Sequence, residues 1–421
     1  MEYGLIGKKL GHSFSKPIHE ALAGYSYELF PLPDEDAVRA FFAQRSFKAV
    51  NVTIPYKQLA LALCDEVDEK AASIGAVNTV VNRGGRLYGY NTDYAGFLYM
   101  TKRAGIDFAN RTVLLLGTGG TSRTVSAVVR DEGAKEVLFA SRSGRDGALR
   151  YDQAMQRKDV DVVVNVSPAG MYPDNGTCLV DLGAFPNLAA VADVVYNPAQ
   201  TALLCQAQRL GVRAAGGLPM LVAQAKYAAE YFSDKKIPDE KIEPILKELR
   251  AKQMNLVLIG MPSCGKSSLG KACAKLLGKR FVDLDAEIER EEGRPIPEIL
   301  APGNETYFRD VESRVTAHLA KESGQVLSTG GGVVLRKENV DALRQNGVVV
   351  YIDRPLQDLR PGGNRPLSQS TQALAAQYAV RAPLYEQACH ATVKNDAPFY
   401  TVADRIKERF YEVLDRERPE H

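Results

Sequence analysis

A chain of 421 residues exceeds what one hydrophobic core sustains, roughly 250 to 300 residues, and suits two or three domains. Its 53 Lys plus Arg nearly cancel 51 Asp plus Glu, which excludes the polybasic field of a nucleic-acid or anionic-membrane binder but leaves room for small anions held by a few placed cations. Met1-Glu2-Tyr3-Gly4 does not open a basic, apolar leader, no apolar run approaches the ~20 residues a bilayer demands, and Cys64, Cys178, Cys205, Cys264, Cys273 and Cys389 lack disulfide or zinc spacing. The expectation is a cytoplasmic protein with free thiols and neither nucleic-acid nor membrane partners.

In chain order, the first polar features are Gly11-His-Ser13-Phe-Ser15-Lys-Pro, the strand-like Lys48-Ala-Val-Asn-Val-Thr53 running into Ile-Pro-Tyr56-Lys57, then Gly75-Ala-Val-Asn78-Thr79 and Gly89-Tyr-Asn91-Thr92-Asp93. They set hydroxyls, amides, one lysine and one aspartate at strand and loop ends; singly, each reads equally as a turn or helix cap. Thr112–Leu116, Glu136–Ala140 and Asp161–Asn165 are short apolar runs alternating with longer amphipathic segments, the pattern of parallel strands joined by helices. Asn110-Arg-Thr-Val-Leu-Leu-Leu-Gly117-Thr-Gly119-Gly120-Thr-Ser-Arg123 is a strand entering a glycine turn before a helix expected over Thr124–Asp131. Such a turn lets the backbone approach a pyrophosphate whose charge meets helix N-terminal amides. The next strand ends in Ser141-Arg142-Ser143, with Arg145 close behind, where an NAD enzyme places an acid for the ribose. Arginine suits a 2′-phosphate, so NADP(H) is expected on Gly117, Gly119, Gly120, Arg123, Ser141 and Arg142; solvated loop charges are the plain alternative.

Together with Asn165-Val-Ser-Pro-Ala-Gly170-Met171-Tyr-Pro, Asp193-Val-Val-Tyr196-Asn197-Pro198 and Met220-Leu-Val-Ala-Gln224, these motifs resemble shikimate dehydrogenase from Gly4 to about Gln224. The resemblance implies an α/β substrate domain over 1–95 plus about 218–252 and a Rossmann-like NADP domain over 96–217. It implies NADPH-dependent reduction of 3-dehydroshikimate to shikimate, with Ser13 and Ser15 on the substrate carboxylate, Thr53, Asn78 and Gln224 on its hydroxyls, Tyr196 in the same site, and Lys57 and Asp93 as the catalytic pair. The chemistry agrees, because hydride reaching a carbonyl carbon creates an alkoxide that needs a proton donor and a positive charge. An ion pair closing the cleft is the other reading of Lys57 and Asp93. Between Ser143 and Asp159 the chain is shorter than the family pattern, with no room for an extra helix and strand. That keeps open an NAD-using quinate/shikimate dehydrogenase or a catalytically inactive shikimate-binding module.

After the polar stretch Ser233–Lys241, Ile242, Ile245, Leu246 and Leu249 recur at helical spacing up to Lys252, which puts a domain boundary near Gln253. The α/β alternation then resumes with Asn255–Ile259, Lys279–Asp283, Gln325–Ser328 and Gly347–Ile352. Gly260-Met-Pro-Ser263-Cys-Gly265-Lys266-Ser267 stands between the first of these strands and the apolar-periodic Leu269–Leu277, the context of a phosphate loop. Gly260, Ser263, Gly265 and Ser268 would line the phosphates, Lys266 bridge the β- and γ-oxygens and Ser267 ligate Mg2+. Cys264 puts a thiol in this loop, an expected point of oxidation sensitivity. Phe281-Val-Asp283-Leu-Asp285, Phe308-Arg309-Asp-Val-Glu312, Gly330-Gly331-Gly332, Arg360-Pro-Gly-Gly-Asn-Arg365-Pro-Leu and Arg381-Ala-Pro-Leu-Tyr385 follow, and jointly they resemble shikimate kinase over about Asn255 to Arg409. That resemblance implies a P-loop, nucleoside-monophosphate-kinase-like α/β domain over 253–421 using ATP and Mg2+. Arg309 and Arg381 would clamp the shikimate carboxylate, with Glu312 orienting Arg309 and Gly331 lending backbone contacts. Asp285 would bind the accepting hydroxyl and take its proton, Asp283 reach Mg2+ through water, Arg365 close a lid over the γ-phosphate and Arg360 touch the nucleotide. Guanidinium forks suit a carboxylate bidentately. The two halves share one metabolite, which points to a bifunctional shikimate-pathway enzyme.

Overall fold

The computed structural model describes residues 2–11, 13–301, 303–361 and 370–416. They form two compact units, Met1–Leu246 and Lys247–His421. The division falls inside the helix Ile242–Gln253, six residues before the position read from its apolar spacing.

The first unit contains two sheets. Strands β1 (Tyr3–Gly7), β2 (Glu28–Pro31), β3 (Ala49–Val52), β4 (Glu66–Val67), β5 (Thr79–Arg83) and β6 (Arg86–Tyr90) lie in the order β2-β1-β3-β5-β6-β4. The expectation of parallel strands needs correction here: β1 and β3 are parallel, but β5 runs antiparallel to both β3 and β6. The cause is local. Gly84 and Gly85 join β5 to β6 with φ of +61° and +86°, the two-residue turn that closes an antiparallel hairpin and that glycine adopts without steric cost.

The second sheet, β7 (Thr112–Leu116), β8 (Glu136–Ala140), β9 (Val162–Asn165), β10 (Ala190–Asp193) and β11 (Arg213–Ala215), is wholly parallel in the order β11-β10-β9-β7-β8. Every residue of β7, β9 and β10 is buried, as unbroken apolar runs in a sheet covered on both faces should be. Between β8 and β9 the chain manages one four-residue helix, Tyr151–Ala154, and a single bridge from Ala140 to Leu149, so this side of the sheet is short.

Helix Thr92–Arg103 carries the chain from the first sheet to the second, and Leu218–Ser233 returns beside it. A Cβ at Gly96 would stand 2.8 Å from both the Gln224 Cβ and the Met220 carbonyl oxygen, so only glycine lets these two helices approach this closely.

In the second unit, β12 (Asn255–Ile259), β13 (Arg280–Asp283), β14 (Gln325–Ser328), β15 (Gly347–Asp353) and β16 (Ala391–Lys394) form a parallel sheet in the order β13-β14-β12-β15-β16. The segments leaving β12 and β14 therefore emerge side by side at the carboxyl edge, where α/β sheets bind ligands. Both glycine turns deliver straight into helices: the one after β7 starts at Gly120 rather than Thr124, and the one after β12 at Lys266 rather than Leu269. Among the described residues no helix is long and apolar enough to cross a membrane, and no cysteines are joined in a disulfide.

Candidate active sites

In the first unit a cavity of about 400 Å3 collects Ser13, Ser15, Thr53, Lys57, Asn78, Asp93, Tyr196 and Gln224, every substrate-site residue singled out in that half. Gln224 comes from inside helix Leu218–Ser233, and the others come from loops or element ends. Thr53 follows β3, and the Thr53–Tyr56 turn opens helix Lys57–Leu63 on Lys57 itself. The start of that helix is pinned because the Val77 amide donates to the Lys57 carbonyl at 3.0 Å and the buried Tyr56 hydroxyl donates to the Leu32 carbonyl at 2.8 Å. Asp93 sits in the first turn of its helix, capped by Asn91, where a carboxylate is favoured by the helix dipole. From there it accepts a 2.6 Å bond from the Lys57 ammonium, with the two side chains 21% and 12% exposed. Asn78 is buried; its side-chain oxygen accepts from the Thr92 amide at 2.8 Å and its amide nitrogen donates to the Thr92 hydroxyl at 3.1 Å. Tyr196, whose hydroxyl burial holds above its ordinary pKa, meets Phe14 edge-on with ring centroids 6.0 Å apart.

The cavity also contains Lys9, Asn51 and Thr121, to which no role was given from sequence. Asn51 was open to discovery, since it stands two residues before Thr53 and strand alternation puts both on one face. Its side-chain oxygen accepts from Tyr27 at 2.7 Å and its nitrogen donates to the Thr79 hydroxyl at 3.1 Å. Thr121 belongs to the first turn of the helix after β7, so the cavity borders the glycine turn.

In that turn Gly117 has φ +121° and lies against Ser167, while a side chain at Gly119 or Gly120 would meet nothing within 4 Å. The helix N-terminus is open, and Arg123 on its first turns and Arg142 beyond β8 are both exposed; helix N-terminal amides and guanidinium groups are the donors that phosphates take. Ser141 turns its hydroxyl back to accept from the Gly144 amide at 3.1 Å. At the end of β10, Asp193 is fully buried; burial pushes its carboxyl up to about 7 against the opposing bonds from Thr201, the Val195 amide and Asn165.

In the second unit the phosphate loop leaves β12 at Gly260, whose φ of +145° and 2.7 Å approach to the Ile352 carbonyl oxygen admit no side chain. Ser263 adopts a left-handed φ of +66° and donates its hydroxyl to the Arg360 carbonyl at 2.7 Å. Gly265 precedes helix Lys266–Leu277, and Lys266 folds back to donate to the carbonyls of Gly260 and Met261 at 2.8 and 2.9 Å. Ser267 is exposed and donates to Asp283 at 2.7 Å; Ser268 beside it is also exposed. One hydroxyl and one carboxylate suit Mg2+, which keeps several waters and takes the rest of its shell from phosphates. Cys264 is fully buried, with its sulfur 3.8 Å from the Lys266 ammonium, so the expected exposure of this thiol to oxidants is corrected. Asn395, missed in the sequence, donates its side chain to the Cys264 carbonyl at 2.8 Å.

Beside this loop, Arg309 donates to Glu312 at 2.7 Å and to Glu305 at 3.3 Å. Arg381 is buried too; burial lowers its pKa, and the charges of Arg309 and Glu312 act on it. Burial raises the Glu312 carboxyl while Arg309 opposes. Its second oxygen, Oε1, is buried without a hydrogen-bond partner among the described residues. A side chain at Gly330 would meet Asp285 Oδ1 at 2.8 Å and Glu312 Oε1 at 3.1 Å, while one at Gly331 would strike Pro262 of the phosphate loop, so the triple glycine is where the two halves of the site touch. The buried Tyr385 donates its hydroxyl to the Gly331 carbonyl. Two buried guanidinium groups beside Glu312, with Glu305 reaching Arg309 from the exposed side, present forks of the kind that suit a small organic acid. Arg360 is exposed, and Arg365 lies outside the described residues.

Residues 5–80 match the family model for the shikimate dehydrogenase substrate binding domain, and residues 262–411 match that for shikimate kinase. A shikimate dehydrogenase (NADP(+)) of Clostridium perfringens is 32% identical over 267 residues, spanning 59% of this chain and 98% of the relative. The crystal structure of a chorismate mutase/shikimate 5-dehydrogenase fusion protein from Clostridium acetobutylicum is 34% identical with a TM-score of 0.56, over 59% of this chain and 97% of its own. A shikimate 5-dehydrogenase of Thermus thermophilus in complex with NADP(H) and shikimate is 31% identical with a TM-score of 0.52, over 59% and 99%. Through its first unit the chain therefore belongs to the shikimate dehydrogenases, and, with a shikimate kinase domain following, it is a shikimate-pathway fusion of an NADP-dependent oxidoreductase and an ATP- and Mg2+-dependent kinase.

Proposed function

We propose that the first unit reduces 3-dehydroshikimate to shikimate and that the second phosphorylates the 3-hydroxyl of shikimate. The observation that carries this reading is the Lys57–Asp93 pair inside a cavity lined mainly by neutral donors and acceptors, with Lys9 as a further charge. When bound, NADPH supplies hydride to the carbonyl carbon. Lys57 then gives a proton to the carbonyl oxygen, and its charge lowers the energy of the developing alkoxide. Asp93 holds the ammonium in place through a charge-assisted bond and so orients the donated proton. Ser13 and Ser15 hold the carboxylate, and Thr53, Asn78, Tyr196 and Gln224 fix the ring.

In the second unit Arg309 and Arg381 hold the shikimate carboxylate, with Glu312 setting the plane of the Arg309 fork. Asp285 receives the proton of the attacking hydroxyl. The backbone amides of the loop would hold the ATP phosphates; Lys266, which now donates to two loop carbonyls, would bridge the β- and γ-oxygens, and Ser267, with Asp283 through water, would hold Mg2+, which supplies charge neutralisation when bound. Arg360 and Arg365 attend the nucleotide from the lid, the latter against the γ-phosphate.

The test supplies purified protein with 3-dehydroshikimate, NADPH, ATP and Mg2+ and follows NADPH loss and shikimate 3-phosphate. Phosphorylated product that requires every cosubstrate is the expected result. Phosphorylation of added shikimate alone, with no NADPH loss, would reduce the first unit to a binding module.

A further inference from the structure

We infer that Lys9 is the cation that meets the substrate carboxylate in the dehydrogenase cavity, and so sets the preference of that site for acids over neutral polyols. The inference deepens the reading of the first unit given above and rests on it. Among the residues lining the cavity, the ones with charged side chains are Lys9, Lys57 and Asp93. Lys57 and Asp93 are joined at 2.6 Å and cancel, so the net charge of the cavity is that of Lys9. Among the described residues, those assigned to the carboxylate, Ser13 and Ser15, offer hydroxyls, and neutral donors alone compensate poorly for the lost hydration of a carboxylate.

Position supports the assignment. Lys9 stands two residues beyond β1, at the head of the loop that returns to helix Ser15–Ala23. Within that loop the Ser13 amide donates to the Leu10 carbonyl at 3.1 Å and the Ser15 amide to the Ser13 hydroxyl at 3.2 Å, so Lys9 immediately precedes the turn that carries both serines, and all three line the same cavity. Lys9 is exposed, which makes it a screened, mobile charge rather than a fixed fork. It therefore adds attraction for any carboxylate without dictating its plane, and that attraction weakens with salt.

The experiment measures NADP+-linked oxidation of shikimate and of its neutral methyl ester at low and high ionic strength, for the full chain and for Lys9→Met and Lys9→Arg. Lys9→Met should raise the shikimate KM about 5- to 20-fold at low salt, leave kcat within about twofold and flatten the salt dependence of KM. Lys9→Arg should recover most of the affinity, and the methyl ester should not distinguish Lys9→Met from the unaltered protein. An unchanged shikimate KM overturns the inference, as does an equal loss for acid and ester, which would make Lys9 merely structural. If the unaltered protein binds shikimate but does not oxidise it, the assigned reaction fails. The change in fluorescence of bound NADPH on adding shikimate, which reports the first unit alone, then still decides Lys9 by the same loss of affinity.

Discussion

On the reading proposed here, the two units receive the same small acid and handle its charge differently. In the kinase unit the charge is built into the core: Arg309 is 10% exposed as a side chain, Glu312 1%, and Arg381 is buried beside them. In the dehydrogenase unit the charges stand at element ends around a cavity, Lys57 and Asp93 in one partly exposed pair and Lys9 on an exposed loop. Buried charge that loses its partner remains in the protein as an uncompensated cost, whereas a partly solvated charge is rehydrated. The kinase site should therefore bind and fold with the same residues, and the dehydrogenase site should keep the two roles apart.

The largest expected effect lies on the dehydrogenase side. Lys57→Ala should lower kcat for NADP+-linked shikimate oxidation by roughly 10²- to 10⁴-fold, the usual share of a general acid, while leaving shikimate phosphorylation intact. Its thermal unfolding should move less than that of the matching kinase variant, because Lys57 and Asp93 are 21% and 12% exposed and border a cavity where the remaining carboxylate is rehydrated. Retained turnover would leave Lys57 as a cleft-closing ion pair. The matching change in the kinase, Arg309→Ala, strands Glu312 in the core and should cost about 3–5 kcal/mol of stability along with phosphorylation. Calorimetry of the full chain would show the second unit melting earlier. Replacing both partners, Arg309→Met with Glu312→Leu, should bring back the melting temperature but not the activity. Loss of activity with unaltered melting in Arg309→Ala would erase the contrast between the units.

Acid marks where the contrast ends, because each unit holds a histidine out of water, His19 fully buried and His390 partly so. In the kinase unit His390 accepts from the Val349 amide through Nδ1 at 2.9 Å, and burial, assisted by Arg344, holds its pKa down to about 4. In the dehydrogenase unit burial holds His19 at about 3. An unfolded histidine protonates near 6.5, so between that value and the folded pKa the unfolded chain binds more protons. Stability is then complete above pH 6.5 and falls as pH drops toward 4, by about 3 kcal/mol for His390 alone. Thermal melts from pH 7 to 4.5 should show the decline, and His390→Gln should flatten the part that belongs to the second unit. A slope unaffected by that change would assign the acid response elsewhere.

The difference between the units also explains what could be read before the structure. Motifs legible in the chain are those where a chemical group must stand at a fixed offset from a turn: the phosphate loop around Gly260 and Lys266, the arginine at 309 with its glutamate one turn on, the lysine opening the helix after Thr53. Lys57 and Asp93 are 36 residues apart, yet both were found because each lies in its own recognisable run, and the fold joined them. Lys9 carries no such mark, since a lysine in a loop is the ordinary condition of lysines. The antiparallel β5–β6 hairpin turns on Gly84-Gly85, a pair of glycines not singled out from the sequence. Contacts made through the backbone were beyond reach, because a carbonyl acceptor leaves no signature in residue type; the bond from Asn395 to the Cys264 carbonyl is the clearest case.

That bond supplies the smallest and most local test of how the kinase unit is assembled. The Asn395 amide nitrogen of the backbone donates to the Asp353 carbonyl at 2.7 Å while its side chain donates to Cys264, so one residue ties the end of β15 to the turn of the phosphate loop. Removing the side chain leaves the loop carbonyl without that donor and lets the turn relax, a loss of about 1 kcal/mol. Asn395→Ala should thus raise the ATP KM about fivefold at saturating shikimate, with the shikimate KM and the dehydrogenase rate unchanged. Asn395→Asp should do no better, since a carboxylate cannot donate and would also face the phosphates. An equal rise in both kinase KM values would mean that Asn395 supports the whole unit rather than the loop, and would extend to backbone contacts the coupling of folding and binding inferred from its buried arginines.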